Sequence, residues 1–365
     1  MRLHTLDQVF LFTFSFSFNI FKQAGNKLVI FIFALTLYLL AMEIILSVLG
    51  GLGLFLFAIT NLSDTLKGLI GDRAKKWIGK LTTNVLTAIL TGTVITLILD
   101  SSSAVIIMTI VLVKTKALSF KQAIGIVMGA NIGTTFSSQI IAMDIGRYSP
   151  IPIVIGLILS FIARNENVSK TGKSILYFGI LFFGLYTMER AVEPLRNDSR
   201  FISWMTMLES PLRGAGAGAL VTILIQSSSA TVGMVITLAK KGLLSLGAGI
   251  AVMLGAELGT CADTLLATIK GDRQSIKTGL FHLFFNIITI SIGLIIFPFF
   301  VQLIESISRN AALEQKVANA HMLFNFLGVL LFIPFVGLVE KLLNRLLPDK
   351  LTINAGVSEP ATISL

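Results

Sequence analysis

Only 13% of the 365 residues are charged, and only one is cysteine. A soluble domain keeps roughly a quarter of its residues charged, so this chain carries about half the usual share. The lone thiol, Cys261, excludes an internal disulfide and a cysteine metal cluster. It reads instead as a small apolar packing residue. No Gly-x-x-x-x-Gly-Lys loop occurs, which removes the usual phosphate cradle of an ATP-driven pump. No Gly-x-Ser-x-Gly element occurs either, which weighs against a serine hydrolase using His282 or His321 as its base. A convincing signal peptide is also lacking, because the N-terminus offers one early Arg and no clear small-residue cleavage site.

What the chain has in abundance is apolar sequence: 54% of residues, with a mean hydropathy of +0.87. Apolar runs recur at 28–62, 86–99, 123–143, 174–188, 278–304 and 326–339. Lipid forces every backbone group to bond within its own segment, so these runs predict an all-α polytopic membrane protein in the lipid bilayer. The net charge of +10 does not point to nucleic acid, because the basic residues are scattered through short connections. One set of alternate connections carries about twice the Lys and Arg of the other, which places it, and the C-terminus, in the cytoplasm and the protein in the cell inner membrane.

The N-terminus is unusual. Phe alternates with Ser and other residues over 10–21, and 28–62 is then apolar throughout. That run would be about 50 Å of helix, too long for one crossing of roughly 30 Å. Either an extra helix precedes a span around 46–62, or residues 1–41 are an appendage and Met42 begins the working protein.

The chain repeats itself. Leu99-Asp100-Ser101-Ser102-Ser103-Ala104 returns 126 residues later as Ile225-Gln226-Ser227-Ser228-Ser229-Ala230. In the same register GANIGT (129–134) falls on GAELGT (255–260), and fifteen of thirty-six positions in 100–135 match 226–261. Each triplet is followed by ten apolar residues before a lysine, and Arg213 leaves only twelve before the second triplet. Ten helical residues rise about 15 Å, half a bilayer, so each triplet is expected at the tip of a re-entrant helical hairpin. The Gly-Ala-x-x-Gly-Thr motifs sit mid-run, where two glycines and a threonine predict a locally unwound, broken transmembrane helix. Three runs separate the hairpins: 123–143, 148–163 and 174–188. Pro150 and Pro152 make the middle one tilted or irregular at its start. An odd number makes the fold two inverted-topology repeats.

A serine triplet at a helix start supplies hydroxyls, backbone N–H groups and the positive end of a helix dipole, an anion site without fixed cations. Free carbonyls of the arm before it can coordinate Na+. Serine as plain interhelical glue is the bland alternative, and two triplets in register weigh against it. A secondary transporter therefore leads over a channel, whose filter is usually built around an axis through several subunits.

At these residues the chain resembles the type II sodium-dependent phosphate cotransporters in their bacterial form. The resemblance rests on DSSSA and QSSSA, GANIGTT and GAELGTC, the paired FHLFFN (281–286) and AHMLFN (320–325), and the stretch 42–66; it covers roughly 42–350. It implies Na+ as coupling ion, inorganic phosphate as substrate, alternating access, and no organic cofactor. It assigns Ser101, Ser102, Ser103, Gln226, Ser227, Ser228 and Ser229 to phosphate, and Asn131, Thr134, Thr135 and Thr260 to the Na+ region. The expected organisation is an N-terminal extension (1–41), repeat 1 (42–167), repeat 2 (168–303), a C-terminal transmembrane segment (304–350) and a polar tail (351–365). Bacterial relatives often add a soluble helical regulatory domain after the last span, for which this chain leaves no room. A homodimer stays open.

Three positions depart from the family pattern: Asp100 replaces Gln, Glu257 replaces the Asn of repeat 1, and Cys261 replaces Thr. A charge at the bilayer centre costs about 2.5–3.5 kcal/mol and calls for a partner. Asp100 and Glu257 either bind Na+, add proton coupling, or serve structure as a helix cap and a buried ion pair. Carboxylates in the site also keep another oxyanion open as substrate. His282 with Asn286, and His321 with Asn325, each share a helix face. Interhelical hydrogen bonds are their favoured role over an ion or proton relay, to which Asp263 is a further candidate.

Overall fold

The computed structural model describes residues 26–348 apart from Asp144 and Lys270, so the Phe/Ser alternation and the polar tail lie outside the described residues. Helix α1 (Asn26–Leu81) is followed by the short pair α2 (Val85–Leu99) and α3 (Ser102–Lys114), then by α4 (Phe120–Ile141). Next come α5 (Pro150–Ile162) and α6 (Glu166–Val192), and a small α7 (Ser199–Met207). A second short pair, α8 (Pro211–Ile225) and α9 (Ser228–Lys240), leads into α10 (Leu246–Thr268). The chain continues through α11 (Arg273–Ile295), α12 (Phe297–Ile307), α13 (Leu313–Phe332) and α14 (Val336–Leu346). Among the described residues six helical stretches are long and apolar enough to cross a membrane. Large apolar side chains such as Phe161 (82% exposed) and Ile295 (80%) point outward, as lipid rather than water requires. The protein is a multi-pass helical membrane protein.

The repeat is visible in helix boundaries. Shifting α2 and α3 by 126 residues lands on the first and last residues of α8 and α9. The cause is local chemistry. Asp100 and Gln226 each end a helix in the left-handed conformation (φ 51° and 59°). Ser101 and Ser227 then start the next helix as N-caps, each accepting a hydrogen bond at 3.2 Å from the backbone N–H of Ala104 or Ala230. The other end of α2 is set by a capping box in which Asn84 and Thr87 satisfy each other's backbone N–H. Asn84→Ala is expected to cost about 1 kcal/mol and lower the unfolding midpoint in detergent, with Asn84→Asp close to wild type.

Three apolar clusters hold the bundle. One surrounds α2–α4 and α14, a second surrounds α9 and α10 with α12 and α13, and a third joins α1 and α6 to α9 through Phe55, Leu62, Phe182 and Ala230. Packing crosses between the halves: α3 lies on α10 and α11, and α9 lies on α4 and α13.

Two expectations need correction. The Gly-Ala-x-x-Gly-Thr motifs do not unwind, since α4 and α10 run through them without a break. Their glycines serve close packing instead. A Cβ on Gly129 would lie 2.0 Å from the Ile89 carbonyl oxygen of α2, and one on Gly255 would lie 1.8 Å from the Ala215 carbonyl oxygen of α8. A small-residue stripe lets two backbones touch without breaking either helix. The long N-terminal run is likewise not divided. One helix of 56 residues passes through it, about 84 Å long. Elsewhere the run 278–304 is split at Ile296, where Pro298 opens α12. The 148–163 run begins irregularly, with a 3-10 turn (Gly146–Tyr148) ahead of Pro150.

Candidate functional site

At the first turn, the Asp100 carboxylate accepts a hydrogen bond from the Ser137 hydroxyl of α4. Ser103 donates to the carboxylate of Asp263 on α10 at 3.4 Å, so this turn touches both halves. The Leu99 carbonyl, expected to be free, accepts from Ser63 of α1 at 3.3 Å. At the second turn, Thr222 donates to Thr231 at 2.8 Å and ties α8 to α9. The equivalent residues of the first pair are Thr96 and Val105, and there the buried Thr96 hydroxyl has no partner among the described residues. Ser102, Ser228 and Ser229 are buried.

One shift of register explains the carboxylates. Asp100 corresponds to Gln226, and its partner Ser137 corresponds to Asp263. Each half thus places one acid and one neutral polar residue at the same two positions, with the order exchanged. Thr134, Thr135 and Thr260 donate their hydroxyls to carbonyls of their own helices, Ala130 (3.0 Å), Ile132 (2.7 Å) and Ala256 (3.1 Å). Their remaining lone pairs stay available to a cation.

The histidine helices weave the two halves together. On α11, His282 Nδ1 lies 2.8 Å from the Thr264 hydroxyl of α10, and Asn286 Oδ1 accepts from Asn131 of α4 at 2.9 Å. On α13, His321 Nδ1 lies 2.6 Å from the Ser138 hydroxyl of α4. His321 Nε2 lies 2.5 Å from Oε1 of Glu257 on α10, which also accepts from Asn325 at 3.3 Å. Ser138 and Thr264 are 126 residues apart, and so are Asn131 and Glu257. The two helices therefore make the same pair of contacts with the halves exchanged. All four side chains are almost wholly buried.

The two imidazoles differ chemically. The Thr264 hydroxyl lies within reach of both the Cys261 carbonyl, at 3.0 Å, and His282 Nδ1, at 2.8 Å. The other ring nitrogen of His282 is Nε2. That atom is buried without a partner among the described residues. His321 instead donates from Nε2 to Glu257. Cys261 is buried beside Asn286, whose amide donates to Sγ at 3.1 Å. Among the described residues no group of three or more His, Cys, Asp or Glu converges as a transition-metal site.

Sequence reasoning missed Ser137, Ser138 and Thr264. The register that aligns the triplets also aligns 137 with 263 and 138 with 264, so extending the comparison by three residues would have found them.

The Na+/Pi-cotransporter family profile matches residues 54–190 and 196–333, most of the described bundle and both copies of the repeated turn. The chain belongs to this family. Its members are phosphate transporters rather than enzymes. The chain is 31% identical over 314 residues to the uncharacterized protein YqeW of Bacillus subtilis (strain 168), covering 81% of this chain and 97% of that protein. It is 24% identical over 261 residues to the putative inorganic phosphate export protein YjbB of Escherichia coli (strain K12), covering 71% of this chain and 48% of that one. It is also 30% identical over 126 residues to the human sodium-dependent phosphate transport protein 2B, covering 32% of this chain and 18% of that protein. The chain thus spans about half of the E. coli relative and a smaller part of the human one. No solved structure matches it.

Proposed function

We propose that this chain moves inorganic phosphate together with Na+ across the cell membrane by alternating access, with two inverted repeats and re-entrant turns at its centre. The observation that carries this reading is the coincidence of two half-length helix pairs, residue for residue, each turning on a left-handed residue and a serine cap. A helix that begins within a membrane protein presents unsatisfied N–H groups and positive partial charge to an anion. In this reading Ser101–Ser103 and Gln226–Ser229 hold phosphate. Asp100, with the lone pairs of Thr134, Thr135 and Thr260, holds Na+, which neutralises the anion in a low-dielectric site. Asn131 and Glu257 brace the site from behind through α11 and α13.

Proton coupling is a second reading, favoured by one contact. Glu257 touches an imidazole that could exchange a proton with it, and Asp100 is a second carboxyl within the bundle. The cytoplasmic C-terminus belongs to the same proposal, as does the direction of net flow; the E. coli relative's name speaks of export.

Purified protein in liposomes, given radiolabelled phosphate under Na+, K+ or pH gradients, tests both readings. Saturable uptake that needs Na+ is expected. Ser102→Ala combined with Ser228→Ala should lower the rate at least about tenfold, since each lost hydrogen bond to a charged group is worth roughly 1.5–3 kcal/mol. Uptake driven by a proton gradient and indifferent to Na+ would favour the second reading. No phosphate movement under any gradient would end both.

A further inference from the structure

A cavity of about 360 Å3 lies between α1, the end of α2, α4 and α6. Small-molecule sites occupy about 300–1,000 Å3, so it is large enough to be one. It follows α6 from Thr171 to Phe182, about 16 Å of helix. Of the fourteen lining residues ten are apolar, three carry hydroxyls, and one is an acid, Asp100. None of these described residues is basic. On the α6 wall the rings of Phe178 and Phe182 lie 4.9 Å apart.

Asp100 is short of partners. One carboxylate oxygen accepts from the Ser137 hydroxyl, and the other has neither a hydrogen bond nor an ion pair among the described residues. A single neutral hydroxyl leaves the charge unanswered, and a carboxylate inside a membrane protein calls for a cation. The turn itself does not need that charge. Gln226 ends its helix in the same left-handed conformation with a neutral side chain (φ 59° against 51°). A metal ion at Asp100 would use the oxygens there and leave ten apolar wall residues without an occupant.

We propose that this cavity binds an amphiphilic monocation, a protonated amine with an apolar body of one ring or a short chain. The ammonium donates to the open oxygen of Asp100. The body lies against the hydrocarbon walls, whose aromatic rings also tolerate a nearby positive charge. Charge complementarity selects this occupant over a lipid acyl chain, which brings nothing to neutralise the carboxylate. An anion would find no cation in the lining. Binding does not depend on the transport reading above. One consequence does rest on it: the ligand would take the carboxylate assigned to Na+ and span α1 and α6 on one side, α2 and α4 on the other, and so inhibit uptake.

Equilibrium dialysis of tritiated phenylbutylamine against the purified full chain in detergent tests this, in K+ buffer at neutral pH. Its amine is as basic as a lysine side chain and is charged there. Saturable binding of one molecule per chain is expected. Phenylbutanol and phenylbutyrate carry the same body with a neutral or negative head, and should compete at least about tenfold more weakly. Asp100→Asn should weaken binding at least about thirtyfold, the loss of a desolvated charge pair. Asparagine accepts the left-handed conformation, so the turn survives, and gel filtration checks the fold. Ser174→Phe keeps the carboxylate but fills the cavity, and should weaken binding about tenfold or more. No saturable binding, equal competition by phenylbutanol, or wild-type affinity in Asp100→Asn would each overturn the proposal. Exchanging K+ for Na+ should weaken binding by competition at Asp100. If Asp100→Asn abolishes binding while Na+ leaves it unchanged, the proposal stands and the Na+ role of Asp100 falls.

Discussion

Gly255→Ala is expected to destabilise the fold by about 3 kcal/mol or more, while Gly247→Ala, eight residues earlier on the same helix, is neutral or slightly stabilising. The added methyl at 255 would lie 1.8 Å from the Ala215 carbonyl oxygen and 2.6 Å from its carbon. Those are backbone atoms of α8, so no side chain can turn away. The same crossing is locked from the other side, where a Cβ on Gly218 would lie 2.0 Å from the Val252 carbonyl oxygen. Overpacking usually costs 1–3 kcal/mol and occasionally more, and separating two backbones belongs at the upper end. A methyl on Gly247 would meet no heavy atom within 4 Å, so there only a gain in helix propensity remains, smaller at this second helical position than the roughly 1 kcal/mol of a helix interior. Gly129→Ala should reproduce the loss at the mirrored crossing of α2 and α4. Detergent-solubilised variants compared by thermal unfolding and gel filtration would decide it. A Gly255→Ala protein that elutes and melts with wild type would show that α8 and α10 are not in contact there.

His321→Ala is expected to be at least as damaging, and Glu257→Gln in the same chain should recover most of the loss. Glu257 is 4% exposed, and the imidazole and amide that donate to its carboxylate both come from α13. Removing the imidazole leaves a buried carboxylate with one amide for company. Breaking a buried pair from one side typically costs about 3–5 kcal/mol, because the remaining group is stranded. Converting that group to a neutral amide removes most of the penalty. A double-mutant cycle on thermal stability should therefore show strong coupling. Additive losses from the two single changes would mean that the 2.5 Å contact contributes little. Asn131→Glu offers the complementary experiment: it places a carboxylate at the position equivalent to Glu257, on the side where His282 keeps a bare nitrogen.

Much of the core was legible in the sequence because its signals are local. Serine before an apolar run marks a helix start, lysine marks where an arm leaves the apolar zone, and the shared register turned two weak turns into one firm expectation. The Gly-Ala-x-x-Gly-Thr motif misled for a physical reason. Glycine that permits unwinding and glycine that permits contact have the same composition, and only the distance to Ile89 or Ala215 tells them apart. The His-x-x-x-Asn pairs could be placed on helix faces but not assigned partners, because α11 and α13 reach across to residues some 20 to 180 positions away. The exchange of acids between Asp100/Ser137 and Gln226/Asp263 was hidden for a simpler reason: its second member lies just past the stretch where identity is high.

The weave of α11 and α13 through α4 and α10 also dictates where this molecule can bend. Sliding one half past the other would tear buried polar contacts on four helices together, each stranding a donor or acceptor in a dry interior. The boundary of α1 and α6 against α9 is greasy over most of its depth, held at one rim by the Lys240–Glu189 clasp. Hydrocarbon surfaces can glide without orphaning anything. The stitched quartet is thus the stiffer part of the bundle, and the outer pair meets it across a softer seam, tied to α2 by the Ser63–Leu99 hydrogen bond.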